Sequence, residues 1–318
     1  MPAHADNNAP APRSASPLKS LKSMRITHGE RVIDQASGFT KKDLIEYYAS
    51  VAHLMLPHLK TRPVALVRAP AGLSGELFFQ KHYEGKALPG IKLLDPKLDP
   101  GHAPLLEIPS AQALLGAAQF NAVEFHTWNA TSNSINKPER MTFDLDPGEG
   151  VGWRQMQEAA QLVPSLLDEL GLTGFLKTSG GKGLHVVVPL KRGYGFDTVK
   201  DFSHAIVAHL ASVIPQRFVA KSGPKNRVGK IFVDYLRNGF GATTVCAWSV
   251  RARPGLGVSV PVAWDELASL TSSAHWTAST VGERLEVGNL PWSDYESARK
   301  GLAKAMTTLG FVPPAQSG

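Results

Sequence analysis

The chain is expected to be an α+β protein with a mixed or antiparallel central sheet flanked by helices and a second β-rich subregion. Three observations lead there. β-type runs adjoin one another through short turns, amphipathic helices interrupt them irregularly, and there is neither a regular βαβ alternation nor an internal repeat. At 318 residues and 43% hydrophobic, the chain can bury a substantial core, and a charged fraction of 19% suits an ordinary globular protein.

In chain order, residues 1–22 carry Pro, Ala, Ser and Asn around scattered charges, with no apolar central region. That composition makes no secretory signal and reads as a disordered tail or linker ahead of one domain at 23–318. Short strands are expected within Met24–Asp34. Thr40-Lys-Lys-Asp43 has the form of a capping box, and Leu44, Ile45, Tyr48, Val51, Ala52 and Met55 fall at helical spacing, so a helix should run to about Leu59. Arg62-Pro63 stops it before a short buried strand, Val64–Val67. A second helix is expected over Ser110–Phe120, strands over Val123–Trp128 and Met141–Leu145, and a helix over Trp153–Leu170 ended by Gly171. Strands at Phe175–Thr178 and Leu184–Val188 flank a glycine-rich turn. Helix Asp197–Ile214, strand Lys230–Leu236 and helix Asp294–Leu309 complete the pattern.

A net charge of +7 favours a polyanionic partner. Cys246 is the single cysteine, which excludes an internal disulfide and a four-cysteine zinc site. It lies in the apolar run Thr243–Trp248, reads as inert core, and suits a reduced cytosolic setting. No apolar stretch approaches a membrane span.

The chemistry is concentrated in four segments. In a strand, Asp144 and Asp146 face the same way while Phe143 and Leu145 turn into the core. Carboxylates held this close repel unless a divalent cation lies between them. Asp-x-Asp is common in loops, but Asp234 in the apolar run Ile231-Phe-Val would be costly to bury alone, and so points to a third metal ligand. Ser179-Gly180-Gly-Lys182-Gly reads as a phosphate-binding turn whose successive amides form an anion nest, helped by the Ser179 hydroxyl and Lys182. A plain hairpin loop also fits it, and the Walker pattern does not. His185, two residues beyond, is expected to contact phosphate. Arg237, Arg251 and Arg253 suit a triphosphate or a nucleic-acid backbone, with Arg251 and Arg253 sharing one face of a strand end. Phe78-Phe79 is a candidate base-stacking platform, with at least one ring expected in the core.

These strings, in this order, resemble the archaeo-eukaryotic primase superfamily and, more narrowly, the polymerase domain of bacterial ligase D. The resemblance runs from about Ile26 to the C-terminus and rests on Asp144-Leu-Asp146-Pro, Ser179-Gly-Gly-Lys-Gly-Leu-His185, Asp234-Tyr-Leu-Arg237-Asn and Phe78-Phe-Gln-Lys-His82. It implies that Asp144, Asp146 and Asp234 bind two Mn²⁺ or Mg²⁺ ions. Ser179, Lys182, His185, Arg237 and Arg251 would hold an NTP or dNTP, with His126 near the nucleotide. Phe78 and Phe79 would stack on template bases, and Arg31 and Lys41 would meet the 5′-phosphate of a downstream DNA end, although Lys41 also reads as a solvated helix residue. The implied activity is nucleotidyl transfer to a primer 3′-hydroxyl, in gap filling and untemplated addition during non-homologous end joining. The implied partners are DNA ends, gapped or primer-template DNA, bacterial Ku, and ligase and phosphoesterase modules, in a nucleoid-associated cytoplasmic setting. No Lys-x-Asp-Gly adenylation motif is present, so either an excised polymerase module, which the linker-like opening residues favour, or a stand-alone version is expected. A primase that starts chains de novo and a non-catalytic DNA-end-binding module are the alternatives. The first lacks a cysteine cluster for a zinc module, and the second does not need so complete a set of site residues.

Overall fold

Thr40 caps the first long helix as its sequence dictates. Its hydroxyl accepts from the Asp43 amide at 3.2 Å, and the Asp43 carboxylate accepts from the Thr40 amide at 2.8 Å. The structure, a computed structural model, describes residues 24–83, 85 and 88–314. The tail expected at 1–22 lies outside the described residues.

Hairpin β1 (Val32–Asp34) and β2 (Phe39–Thr40) leads into α1 (Lys41–Leu59). Next come β3 (Val64–Arg68), β4 (Phe78–Gln80), β5 (Lys92–Leu93), β6 (Leu106–Glu107), α2 (Ala111–Gln119), β7 (Ala122–Thr127) and β8 (Arg140–Pro147). Helices α3 (Trp153–Ala160) and α4 (Leu162–Glu169) precede β9 (Phe175–Thr178), β10 (Leu184–Pro189) and α5 (Phe196–Val213). The chain continues through β11 (Phe218–Val219), β12 (Ile231–Asp234), β13 (Thr244–Val245), β14 (Pro261–Val262), α6 (Arg284–Val287) and α7 (Ala303–Leu309).

The strands form two six-stranded sheets. The first runs β11-β12-β8-β10-β9-β14 and is antiparallel except for the β11–β12 pair. The second runs β13-β7-β3-β6-β5, with β4 also paired to β3. Helices α1 and α2 cover the second sheet, bringing Leu44, Tyr48, Met55 and Leu114 against Leu66 and Phe125. Helices α3, α4, α5 and α7 cover the first, where Met156, Leu167, Phe202 and Met306 join Phe143, Leu145 and Val186. Trp276 packs against both cores. This is the mixed helix-and-antiparallel-sheet architecture expected, and most elements fall where the residue pattern puts them.

Four expected elements differ, each for a local reason. The helix expected over Trp153–Leu170 is two helices, because Pro164 has no amide to donate to Ala160 and the helix breaks at Gln161. The helix expected from Asp294 begins only at Ala303. Lys300 is instead drawn into a bridge with Leu190, its carbonyl accepting from the Lys191 amide at 2.8 Å. Within Met24–Asp34 only Val32–Asp34 is strand. The strand expected over Lys230–Leu236 stops at Asp234, whose own carboxylate accepts from the Leu236 amide at 2.8 Å and turns the chain.

That early stop leaves β8 without a strand partner on its β12 side before Asp144, and the Asn238 side chain takes that place. Its amide oxygen accepts from the Thr142 N–H at 2.7 Å while its amide nitrogen donates to the Thr142 carbonyl at 2.9 Å. A side chain therefore stands in for the missing strand, and Asn238 is fully buried. Asn238→Ala would strand both groups of Thr142 in a dry interior. Stability by urea unfolding should fall by about 2–4 kcal/mol, on the scale of roughly 1–3 kcal/mol for each buried unsatisfied group. A loss below about 0.5 kcal/mol would mean that water replaces the amide.

Candidate active site

The pairing of β10, β8 and β12 builds the site. His185 faces Asp144 across one strand pair and Asp234 faces Asp144 across the other. On β9, Lys177 lies opposite His185, so a cation, an imidazole and two carboxylates form one row across the sheet. Asp146 stands two residues along β8 on the same face, and ligand oxygens of Asp144, Asp146 and Asp234 all lie within 4.8 Å of one another. The long-range convergence expected of these three residues is present.

The charges of this cluster are not balanced from within. Burial and the neighbouring Asp144 push the Asp146 carboxyl up to about 6, although Arg227 lies 3.2 Å away. Burial also raises Asp234, against the pull of Arg237 at 3.1 Å. Burial opposes ionisation of Asp144 too, but His185, Arg237 and Lys177 together hold it down to about 2. Burial pushes the His185 imidazole down to about 4, leaving it neutral at pH 7 as the partner of Asp144, with Nε2 3.2 Å from Oδ1. Its Nδ1 is buried without a hydrogen-bond partner among the described residues. Oxygen donors this close, with one carboxyl displaced upward by its neighbours, fit a hard divalent cation.

The glycine-rich turn is braced from outside. The Gly181 amide donates to Ser179 Oγ at 3.1 Å, Ser179 Oγ pairs with Ser273 Oγ at 2.9 Å, and Ser273 Oγ donates to the Gly183 carbonyl. The Gly180 amide donates to the Ser273 carbonyl at 3.1 Å and the Ser179 amide to the Gly183 carbonyl at 3.2 Å. The expected nest of outward amides is therefore corrected: those of Ser179, Gly180 and Gly181 are engaged inside the protein. Gly180 has φ +67°, and a Cβ there would lie 2.8 Å from the Gly257 carbonyl oxygen; a Cβ on Gly183 would lie 2.1 Å from that of Leu145. These glycines let the turn press against its neighbours, while Lys182 is exposed and lines the cleft. Ser273 was not foreseen, since an isolated Ser-Ser pair in a loop carries no signal of its own.

Asp144, Asp146, Ser179, Lys182, His185, Arg227, Arg237, Arg251 and Arg253 line one cleft of about 350 Å³. Arg251 and Arg253 share it as expected, although they follow an isolated bridge at Val250 rather than end a strand. Arg237 lies against the carboxylates, 3.1 Å from Asp234 and 3.8 Å from Asp144. Arg227 lies in a basic loop whose sequence gave no reason to single it out. Glu124 was also missed. It is buried and accepts from Arg251 Nε at 3.1 Å, His126 Nε2 at 2.6 Å and the Ala252 amide at 2.6 Å. It alternates with His126 on β7, the one hint available in one dimension. Lys177, buried and donating to Ser259 Oγ at 2.7 Å, is pushed down to about 7 by burial.

The remaining candidates lie outside this cleft. Phe78 and Phe79 on β4 are 47% and 53% exposed, which corrects the expectation that one of them is core: β4 is too short and too peripheral to be covered on either face. The Phe79 ring meets His126 edge-on at 5.7 Å. Lys41 is buried rather than solvated, donating from Nζ to the Thr27 carbonyl at 2.8 Å. Its amide donates to the Arg31 carbonyl at 2.8 Å, and Arg31 donates to Asn121. Burial first and then the Arg31 charge push the Lys41 ammonium down. Cys246 is buried, its thiol pushed up to about 12 by burial, in keeping with inert core. Among the described residues no helix is long and apolar enough to cross a membrane.

The chain as a whole is similar to known proteins. The family described as "LigD, primase-polymerase domain" matches residues 40–292, and the chain belongs to that family. It is 54% identical over 285 residues to the multifunctional non-homologous end joining protein LigD of Pseudomonas aeruginosa, covering 89% of this chain and 34% of that protein. It is 29% identical over 273 residues to the bifunctional non-homologous end joining protein LigD of Bacillus subtilis, covering 86% of this chain and 44% of that protein. The chain thus spans less than half the length of these relatives. The solved polymerase domain of Mycobacterium tuberculosis ligase D in complex with DNA superposes with a TM-score of 0.77 at 31% identity, covering 85% of this chain and 98% of that one.

Glu124 offers a test of how the site is held. Burial alone would raise its carboxyl, but His126 and Arg251 hold it down to about 2 from an ordinary 4.5. A depressed carboxyl contributes stability above its unfolded value that is lost as pH falls through the folded one. Glu124→Gln should therefore melt at a lower temperature than the unsubstituted chain at pH 7, with the gap narrowing between about pH 4.5 and 2. A gap independent of pH would assign the effect to packing instead.

Proposed function

We propose that this chain is a DNA-end-repair polymerase that adds nucleotides from NTP or dNTP to a primer 3′-hydroxyl, by templated fill-in and untemplated addition during non-homologous end joining. The observation that carries this reading is the convergence of three carboxylates and a basic cleft of about 350 Å³ on one sheet face. Two Mn²⁺ or Mg²⁺ ions held by Asp144, Asp146 and Asp234 would supply activation of the attacking hydroxyl and charge stabilisation of the departing pyrophosphate.

The chain's own groups would position the substrate. Lys182, Arg251 and Arg253 would neutralise the triphosphate, with Arg237 at the edge of the aspartates. His185 would act through Asp144, since its Nε2 lies 3.2 Å from Oδ1 and its Nδ1 is buried. Ser179 would act mainly by holding the turn, since its hydroxyl already bridges Gly181 and Ser273. Glu124 would fix Arg251 and His126 in place, and such positioning carries much of phosphoryl-transfer catalysis. The exposed rings of Phe78 and Phe79 would stack on template bases. Arg31 and Lys41, two adjoining cations, would take the 5′-phosphate of a downstream DNA end. Ku and the ligase and phosphoesterase modules are the partners that this role implies.

Primer extension with Mn²⁺ and labelled NTP is the direct test. Asp144→Ala, Asp146→Ala and Asp234→Ala should each reduce extension by at least about a thousandfold with the fold retained by circular dichroism. Near-normal extension by any one would remove that residue from the set.

The end pocket has a separate signature. Gapped DNA bearing a 5′-phosphate should bind more tightly than gapped DNA bearing a 5′-hydroxyl, by roughly tenfold at moderate salt. Arg31→Ala with Lys41→Ala should remove that preference and spare extension of a simple primer-template. Equal affinity for both ends in the unsubstituted chain would end this assignment.

A further inference from the structure

Two groups of side chains among the described residues bring three potential metal ligands within 4.8 Å of one another. One is the aspartate cluster. The other is His82, Asp99 and His102, which the nucleotidyl-transfer reading leaves without a role. We propose that these three residues form a second metal site for a borderline transition-metal ion of the Zn²⁺ class.

Ligand type separates the two sites. Three carboxylates offer hard oxygen donors, suited to Mg²⁺ or Mn²⁺, whereas two imidazoles and one carboxylate suit Zn²⁺ and its neighbours. The geometry is close to what such an ion needs. His82 Nε2 lies 2.7 Å from Asp99 Oδ2, and His102 Nδ1 lies 3.2 Å from Asp99 Oδ1. Adjacent donors around a tetrahedral Zn²⁺ with bonds of about 2.0–2.1 Å are roughly 3.3–3.4 Å apart. Side-chain rotation would open the shorter contact and bring the two imidazole nitrogens, which lie within 4.8 Å of each other, to that spacing. The rings are already stacked, with centroids 4.8 Å apart and planes 12° from parallel, both turned to the same carboxylate.

The backbone holds the three residues in place without help from an ion. His82 bridges to Leu105, the Tyr83 amide donates to the Pro104 carbonyl at 3.0 Å, and the His102 amide donates to the Asp99 carbonyl at 3.3 Å. Asp99 directly follows the short turn Pro96–Leu98, itself capped by Asp95. His82 and Asp99 are largely covered while His102 is 59% exposed in its side chain, so a fourth position faces solvent and would take water. The site lies just after β4, the strand that carries Phe78 and Phe79, and Lys81 between them is tied to the Gly241 carbonyl at 2.9 Å. A bound ion would staple the segment containing Asp99 and His102 to the end of that strand.

The test uses the full chain carrying Asp144→Ala and Asp234→Ala, so that the aspartate cluster cannot contribute, stripped with a chelator and titrated with Co²⁺ and then Zn²⁺. One equivalent of Co²⁺ should bind with visible absorption bands of a four- or five-coordinate ion, and Zn²⁺ should displace it. His102→Ala, at an exposed position that folding does not need, should weaken binding at least tenfold, and His82→Ala should do the same. Zn²⁺ should raise the melting temperature of the parent but not of His102→Ala. Absence of stoichiometric uptake, or uptake unchanged in both histidine variants, would overturn the proposal and leave Asp99 as a carboxylate shared by two histidines. Displacement of Co²⁺ by equimolar Mg²⁺ would overturn the assignment to the Zn²⁺ class. None of these readouts depends on polymerase activity, so failure here and failure of the proposed function are separable.

Discussion

The antiparallel pairing of β8 with both β10 and β12 is the constraint on which the site depends. A strand places alternate side chains on opposite faces, so a shift of one residue in either pair would send His185 or Asp234 into the helix-covered core and bring apolar residues to the cleft. The register is secured by burial on one side, where Phe143, Leu145, Val186 and Val233 are nearly inaccessible. It is secured on the other by Asn238, which completes the hydrogen bonding of Thr142 and admits only one alignment. Stability of the core and placement of the acidic cluster are therefore one property of the sheet.

Charge is buried elsewhere in the molecule under a different rule. Glu139 accepts from Arg62 at 2.5 Å, from Arg192 at 2.5 Å and from Arg299 at 3.4 Å, so one carboxylate faces several cations. Glu124 is similarly provided for by Arg251 and the Ala252 amide. In both cases opposite charge and hydrogen bonds lower the carboxyl despite burial, and Glu124 is held down to about 2. The aspartate cluster departs from this pattern, with two of its three carboxyls raised. Glu139 and Glu124 are thus matched by cations, whereas two carboxyls of the aspartate cluster stay raised with Arg227 and Arg237 beside them.

Much of this was readable in one dimension. Strand alternation places Asp144 and Asp146 on one face, an unpaired Asp234 among apolar residues demands partners, and the capping box marks the start of α1 to the residue. What escaped depended on distance along the chain. The brace from Ser273 to a turn some ninety residues earlier has no local pattern, nor does the grip of Glu124 on Arg251. Phe78 and Phe79 were misjudged because hydrophobicity reports what a residue prefers, whereas exposure is set by how short and peripheral its strand is. The misread helix at Trp153–Leu170 is different in kind, since Pro164 was visible and its missing amide decides the break.

The hydroxyls of Ser179 and Ser273 link the glycine-rich turn to the loop behind it. Because this link turns the amides of Gly180 and Gly181 inward, the turn is a rigid frame and the contacts it presents to the cleft are long cationic side chains, chiefly Lys182 and its neighbours Arg251 and Arg253. Fixed peptide dipoles would select an anion by shape; exposed ammonium and guanidinium groups select by total charge and are screened by dissolved ions. For any anion that entered this cleft, ionic strength, more than the exact outline of the anion, would govern retention.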